Sequence, residues 1–329
     1  MLKYFRRTLL LVVVMLPVVT AAAININPTS VKGLAQAYGF VLGQGYSLLR
    51  ITTELPEFSK DVTVANARFD ATFPDIKTKL EMQLKEALGD KGFQEVATTL
   101  RSKVKELAER QKLSKEIAAD FLEQVKARSK GEIESPVLEY LLTVKYANYP
   151  MGEFSDGFRQ RYQTSGDGKS QGIKLKLQIP KSWLAKEGER PHIVQKWIRA
   201  NGTGFETISL DIRDAEGVNP TKKEMEEFVK SGEVKETVPE GGTYVDAGTF
   251  SLEQQNGYWM QMALSLDRAG MKMYQQALLY QLFFRGKAVG IMCGSAGADN
   301  EKQKVNEAFK QIRPLCQQVL NSLVLLQVY

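Results

Sequence analysis

Two periods of apolar residues divide this chain. Between Pro28 and about Ala147 they recur every three or four positions, the spacing of one face of a helix. Leu80, Leu84 and Leu88 form one such stripe, and Val96, Leu100, Val104 and Leu107 extend it. Gly89-Asp90-Lys91-Gly92 reads as a turn between them. Ser30 to Thr52 and Phe58 to Phe73 predict two earlier helices. Ser114 is placed to cap a later one that buries Ile117, Phe121, Leu122 and Val125. Ser135-Pro136 opens a short helix with Leu138, Leu141 and Leu142 inward. Amphipathic helices with short joints pack as a bundle, here residues 24–148. Residues 149–171 hold Pro150, Gly152, Gly157, Gly166 and Gly168 with little periodicity, and read as a linker.

From Ile173 the period becomes two. Ile173, Leu175, Leu177 and Ile179 alternate with Lys174, Lys176 and Gln178, as in a strand with one wet face. Ile193–Arg199 and Phe205–Ile212 predict two strands around Asn201-Gly202, with room for a loop longer than two residues. Thr221 and Glu224 make a capping box before Met225, Phe228 and Val229. Asn256-Gly257 signals a hairpin between SLEQQ and YWMQMALSL, and Arg285-Gly286 lies between two further strands. A closing helix from Asp299 to Leu323 carries Val305, Phe309, Ile312, Cys316, Val319 and Leu323 on one face. The fold class is therefore α+β: an N-terminal helical bundle, then an antiparallel sheet with packed helices over residues 172–329.

The first 23 residues fit neither pattern. MLKYFRR is basic, Leu9 to Val19 is apolar, and Thr20-Ala21-Ala22-Ala23 is small, the three parts of a secretory signal cut near Ala23. The apolar run is shorter than a bilayer span and contains Pro17. No later segment is long and apolar enough to span, so the mature chain is expected to be soluble in a periplasm or the medium.

Charge excludes one class of partner. The chain has 44 basic and 38 acidic residues, a formal +6, of which Lys3, Arg6 and Arg7 belong to the signal, leaving +3. Basic residues are interleaved with acidic ones, as in LRSKVKELAERQKLSKE, which gives a solvated helix face and no nucleic-acid stripe.

Catalytic chemistry finds little to work with. The one histidine, His192, has no motif placing a nucleophile beside it and reads as structural or superficial. One His and two distant Cys do not make a zinc site. Asp211, Asp214 and Glu216 lack a calcium-loop pattern and read as solvated. Gly43-Gln44-Gly45 follows no strand, so its glycines read as a close helix contact or a kink. No catalytic, cofactor or metal residue is assigned. Cys293 on a strand and Cys316 on the last helix could form a disulfide in an oxidising compartment, or be two buried thiols. Tyr258, Met260, Met262, Leu264 and Leu266 share a core-facing stripe, which leaves Trp259 on the opposite face as a possible partner contact.

GIKLKLQIPKSW (172–183) and the strand-then-helix GKAVGIMCGSAGADNEKQKVNEAFKQIRPLCQQVLNSL (286–323) resemble the PsbP/Mog-type α/β/α sandwich. PsbP is an extrinsic photosystem II protein, and its bacterial relatives occur as exported domains. AYGFVLGQGYSLLRI (37–51) resembles segments of uncharacterised exported bacterial proteins. The resemblance implies a module that binds or assembles with other proteins and carries no catalytic residues over. The expected function is a non-enzymatic interaction or assembly factor of the bacterial envelope. A small apolar ligand or lipid in a cleft between the two parts is the alternative, and a carboxylate-based hydrolase the third reading.

Overall fold

The computed structural model describes residues 27–268 and 270–328; the expected signal segment, residues 1–23, lies outside them. Asn27 caps the first helix with a reciprocal capping box to Ser30, and Pro28 sits at its first turn, where no N–H is needed. The helical half comprises α1 (Pro28–Glu54), α2 (Ser59–Thr72), α3 (Ile76–Arg110), α4 (Lys115–Arg128) and α5 (Val137–Lys145). Their apolar stripes close one core around Leu34, Tyr38, Phe69, Phe73, Leu80, Leu84, Leu122 and Leu141. Arg128 ties α4 to α1, its guanidinium 4.9 Å from the Phe40 ring and 5.2 Å from the Phe121 ring, while it donates to Gln44 at 3.1 Å.

The expected break falls at Gly89, whose φ of 71° and ψ of 167° are not helical, so α3 is two helical segments joined at that residue. Beyond the kink the buried stripe is Phe93, Ala97 and, half-buried, Leu100, Val104 and Ala108, so Leu107 stands 66% exposed. Helix α1 passes through Gly43 and Gly45 with helical backbone. The tight approach is at Gly33, where a Cβ would lie 1.9 Å from the Tyr140 ring.

The stretch read as a linker is structured. It holds α6 (Pro150–Ser155) and β1 (Arg159–Gln163), which pairs with β2 (Leu175–Pro180). With β10 (Val324–Leu325) these form a three-stranded sheet, β1-β2-β10. The remaining strands are β3 (Leu184–Glu187), β4 (Ile193–Ile198), β5 (Glu206–Asp214), β6 (Gly242–Leu252), β7 (Gln255–Arg268), β8 (Met271–Phe284) and β9 (Lys287–Ala298). They make an antiparallel seven-stranded sheet in the order β3-β4-β5-β9-β8-β7-β6. A single turn, α7 (Arg199–Gly202), joins β4 to β5, with Ala200 and Asn201 in the left-handed region.

Alternation assigns the two faces. Trp197, Ile208, Leu210, Ile212, Leu278, Tyr280, Val289, Ile291 and Cys293 face a core shared with the small sheet, α6 and α9 (Lys302–Asn321). The other face is met by α8 (Lys222–Ser231), whose capping box is formed by Thr221 and Glu224. There Met225 and Val234 pack on Tyr258, Met260, Met262 and Leu264; the Leu266 side chain is not among those described. The result is the expected α+β architecture, a bundle followed by a helix–sheet–helix sandwich.

The hairpin expected at Asn256-Gly257 turns elsewhere. Leu252 pairs with Gln255, so the turn is Glu253-Gln254, with φ of 51° and 62°. Gly257 sits inside β7. Two consecutive non-glycine residues at positive φ are strained, and Asn-Gly is the preferred pair in this turn. Replacing Glu253-Gln254 by Asn-Gly is expected to raise the unfolding free energy by about 1 kcal/mol, read from urea denaturation.

Candidate interaction face

Among the described residues, helix α8 packs on β6 and β7 and makes no comparable contact with β3, β4 or β5. Register fixes which side chains lie there. Leu184, Ile198, Thr207 and Gly294 form one row across β3, β4, β5 and β9. Lys186, Lys196, Ser209, Met292 and Leu279 form the next, reaching the edge of the α8 core through Met292 and Leu279. Phe205, on the same side as Thr207 by alternation, is 45% exposed, and Leu184 is 39% exposed. Ile198, Thr207, Met292 and Leu279 are half-buried. Lys186 is exposed, and Lys196 pairs with Glu189 at 2.8 Å. The exposed part of these rows is Leu184 and Lys186, with Phe205 beside them and half-buried Ile198 and Lys196 next to them, whereas Ser209 is 7% exposed and Gly294 is buried.

A third row is polar: Asp211, Gly290, Gln281 and Tyr258, on β5, β9, β8 and β7. The sequence predicts Asp211 to be solvated with Asp214 and Glu216. The latter two are exposed, but Asp211 is only 5% exposed. Its carboxylate leans over Gly290, where a Cβ would come within 2.5 Å of Oδ1. Burial raises the Asp211 pKa, opposed by the charges of Arg213, at 3.3 Å, and of His192. His192 is half-buried, and burial together with Arg213 lowers its pKa. Gln281 is 8% exposed, and its Nε2 has no hydrogen-bond partner. Among the described residues no group of three His, Cys, Asp or Glu side chains could hold a metal ion.

A second buried network joins the two halves. Glu153 of α6, 2% exposed, accepts from the Ser182 N–H at 2.6 Å and the Ser182 hydroxyl at 2.7 Å. Arg199 donates to Glu206 at 3.0 Å and to the carbonyls of Tyr146 and Ala147 at 3.3 and 2.6 Å. Ala200, on the turn beside it, belongs to the helical core. Burial pushes Glu153 up to about 7, against the pull of Ser182 and Arg199. The folded pKa lies above the unfolded one, so this contribution is intact below about pH 4.5 and is lost as pH rises to about 7. Glu153→Gln is expected to remove that slope and to stabilise the protein at pH 8 by on the order of 3 kcal/mol. Urea denaturation at pH 5 and pH 8 checks it; an equal slope in both proteins contradicts it.

The remaining expected sites fall as follows. Trp259 is half-buried, packs at the edge of the larger sandwich core, and lies across Gly248 of β6, whose Cβ would fall 2.6 Å from its indole nitrogen. Cys293 and Cys316 are both buried and lie side by side. Cavities of about 490, 410 and 280 Å³ lie between α1 and α2, between α8 and β6, and between α1, α3 and α4. Each is lined by residues of one half. Sequence reading missed the Glu153 network because its members lie in four separate segments; the short apolar helix after Pro150 was the available signal. No helix of the described residues is long and apolar enough to cross a membrane.

No protein-family model matches the chain, and no curated protein matches it. Solved structures do. A cyanobacterial PsbP from Synechocystis sp. PCC 6803 is 16% identical, with a TM-score of 0.33, over 51% of this chain and 92% of that one. The Saccharomyces cerevisiae Ran-binding protein Mog1p is 8% identical, with a TM-score of 0.35, over 52% and 98%. LpqN of Mycobacterium tuberculosis, described as involved in cell envelope biogenesis, is 14% identical, with a TM-score of 0.28, over 50% and 94%. The PsbP/Mog-type resemblance noted in the sequence recurs in these matches.

Proposed function

We propose that this is an exported, non-catalytic binding protein that takes a protein partner on the open face of β3, β4 and β5. The observation that supports it most is the pairing of exposed Leu184 and Phe205 with a basic margin at Lys186 and Lys196, on a sheet face whose other half already carries a helix. Aromatic and aliphatic side chains ringed by polar ones are the make-up of interface centres. Three strands at ~4.8 Å spacing offer a width of roughly one helix diameter. The partner segment that fits is an amphipathic helix with an aliphatic centre and acidic edges. Trp259 then acts from beneath, as a packing residue of β7.

Asp211 and Glu153 are the acids that a carboxylate hydrolase would use, but they stand in separate networks with different partners. Site-specific photo-crosslinking tests the binding reading. A crosslinker at Phe205 is expected to yield one defined partner adduct in the native envelope fraction, abolished by Lys186→Glu with Lys196→Glu. The same probe at Leu107, on the helical half, is expected to yield none.

A further inference from the structure

We propose that Cys293 and Cys316 are joined by a disulfide made while the chain folds, and that the closed core then seals the pair in whichever redox state it was caught. Cys293 of β9 lies between Ile208 of β5 and Leu278 of β8, its cross-strand neighbours. Cys316 comes down on it from α9, and its thiol donates to the Ile312 carbonyl at 3.3 Å. Both residues are 0% exposed and belong to one apolar core. The two thiols meet across the junction between helix and sheet.

The same packing governs when the bond can form. Thiol–disulfide exchange needs a thiolate and an approach path for the attacking sulfur. Burial, with Cys316 alongside, raises the Cys293 pKa well above its ordinary value, and neither sulfur has solvent access. Exchange therefore belongs to the stage before α9 docks. One cysteine thiolate attacks a low-molecular-weight or protein disulfide and releases one donor thiol. The second cysteine thiolate then displaces the other donor sulfur. Two electrons and two protons pass from the cysteines to the donor, which leaves as two thiols. Once α9 has docked, no donor reaches the pair.

That the bond is made in the cell rests on the export reading; the capacity to make it does not. The test is refolding of the chain from denaturant in oxidised and reduced glutathione, followed by alkylation in denaturant with and without prior reduction. The expected product carries no alkyl group until it is reduced, and melts on the order of 5 °C above the reduced form. Folded reduced protein placed in the same buffer is expected to keep both thiols. Glutathione adducts or free thiols after oxidative refolding would overturn the pairing, and rapid oxidation of the folded protein would overturn the sealing. Cys293→Ala with Cys316→Ala is expected to fold and to lose the redox dependence of melting; a persisting difference overturns the assignment. Protein extracted from the native envelope is expected to be oxidised. Reduced protein there, with successful oxidation on refolding, would sink the export reading and leave the chemistry of the pair standing.

Discussion

Arg199→Met lowers the unfolding free energy by about 3–5 kcal/mol, the effect of removing one partner from a buried ion pair. Arg199 and Glu206 have side-chain exposures of 8% and 10%. Without the guanidinium, Glu206 keeps its charge away from water, and the carbonyls of Tyr146 and Ala147 lose their donor. Arg199→Met combined with Glu206→Leu recovers a large part of the loss, because replacing the whole pair by apolar groups avoids the stranded charge. Urea denaturation of the single and double variants measures both. A single variant within 1 kcal/mol of the parent, on the scale of an exposed pair, would mean that the junction is wetter than the geometry shows.

Trp197→Ala is expected to be comparably severe, about 3–5 kcal/mol, through lost transfer energy and the cavity left behind. Trp197 is 1% exposed, and its ring meets Tyr162 edge-on at 5.0 Å between centroids, joining the large sheet to the small one. Trp259→Ala loses less, about 1–3 kcal/mol, since that ring is half-buried at the edge of the same core. Chemical denaturation of the two variants side by side checks the ranking. A reversed order would place the centre of the sandwich core under β7.

Much of the sandwich was legible in the sequence because period two and period 3.6 are imposed by geometry. Val305, Phe309, Ile312, Cys316, Val319 and Leu323 are all buried, as their spacing requires. Legibility failed where a residue answers to a distant segment. Asn256-Gly257 carries the local signature of a turn, yet Gly257 lies in β7, where glycine is needed because the Gln281 carbonyl would lie 2.2 Å from any Cβ. Cross-strand packing displaced the turn to Glu253-Gln254. Leu107 continues a stripe whose buried side runs instead through Leu100, Val104 and Ala108, which leaves Leu107 exposed.

Asp211 shows the same limit at the candidate site. Alternation in Ile208, Leu210 and Ile212 marks one side of β5 as buried and implies that the other is wet. Alternation does not report that register sets Asp211 over Gly290, in a row with Gln281 and Tyr258, where it is buried. The open part of that face is likewise invisible in sequence, since Leu184, Ile198 and Met292 come from β3, β4 and β9, Phe205 directly precedes β5, and they meet only through register.

Photo-crosslinking from Phe205 in the native envelope fraction tests the central claim most directly. One defined protein adduct from Phe205, lost on charge reversal at Lys186 and Lys196 and absent from Leu107, is the predicted result. No adduct from Phe205, or equal adducts from Phe205 and Leu107 that ignore the lysines, would contradict a partner seated on this face.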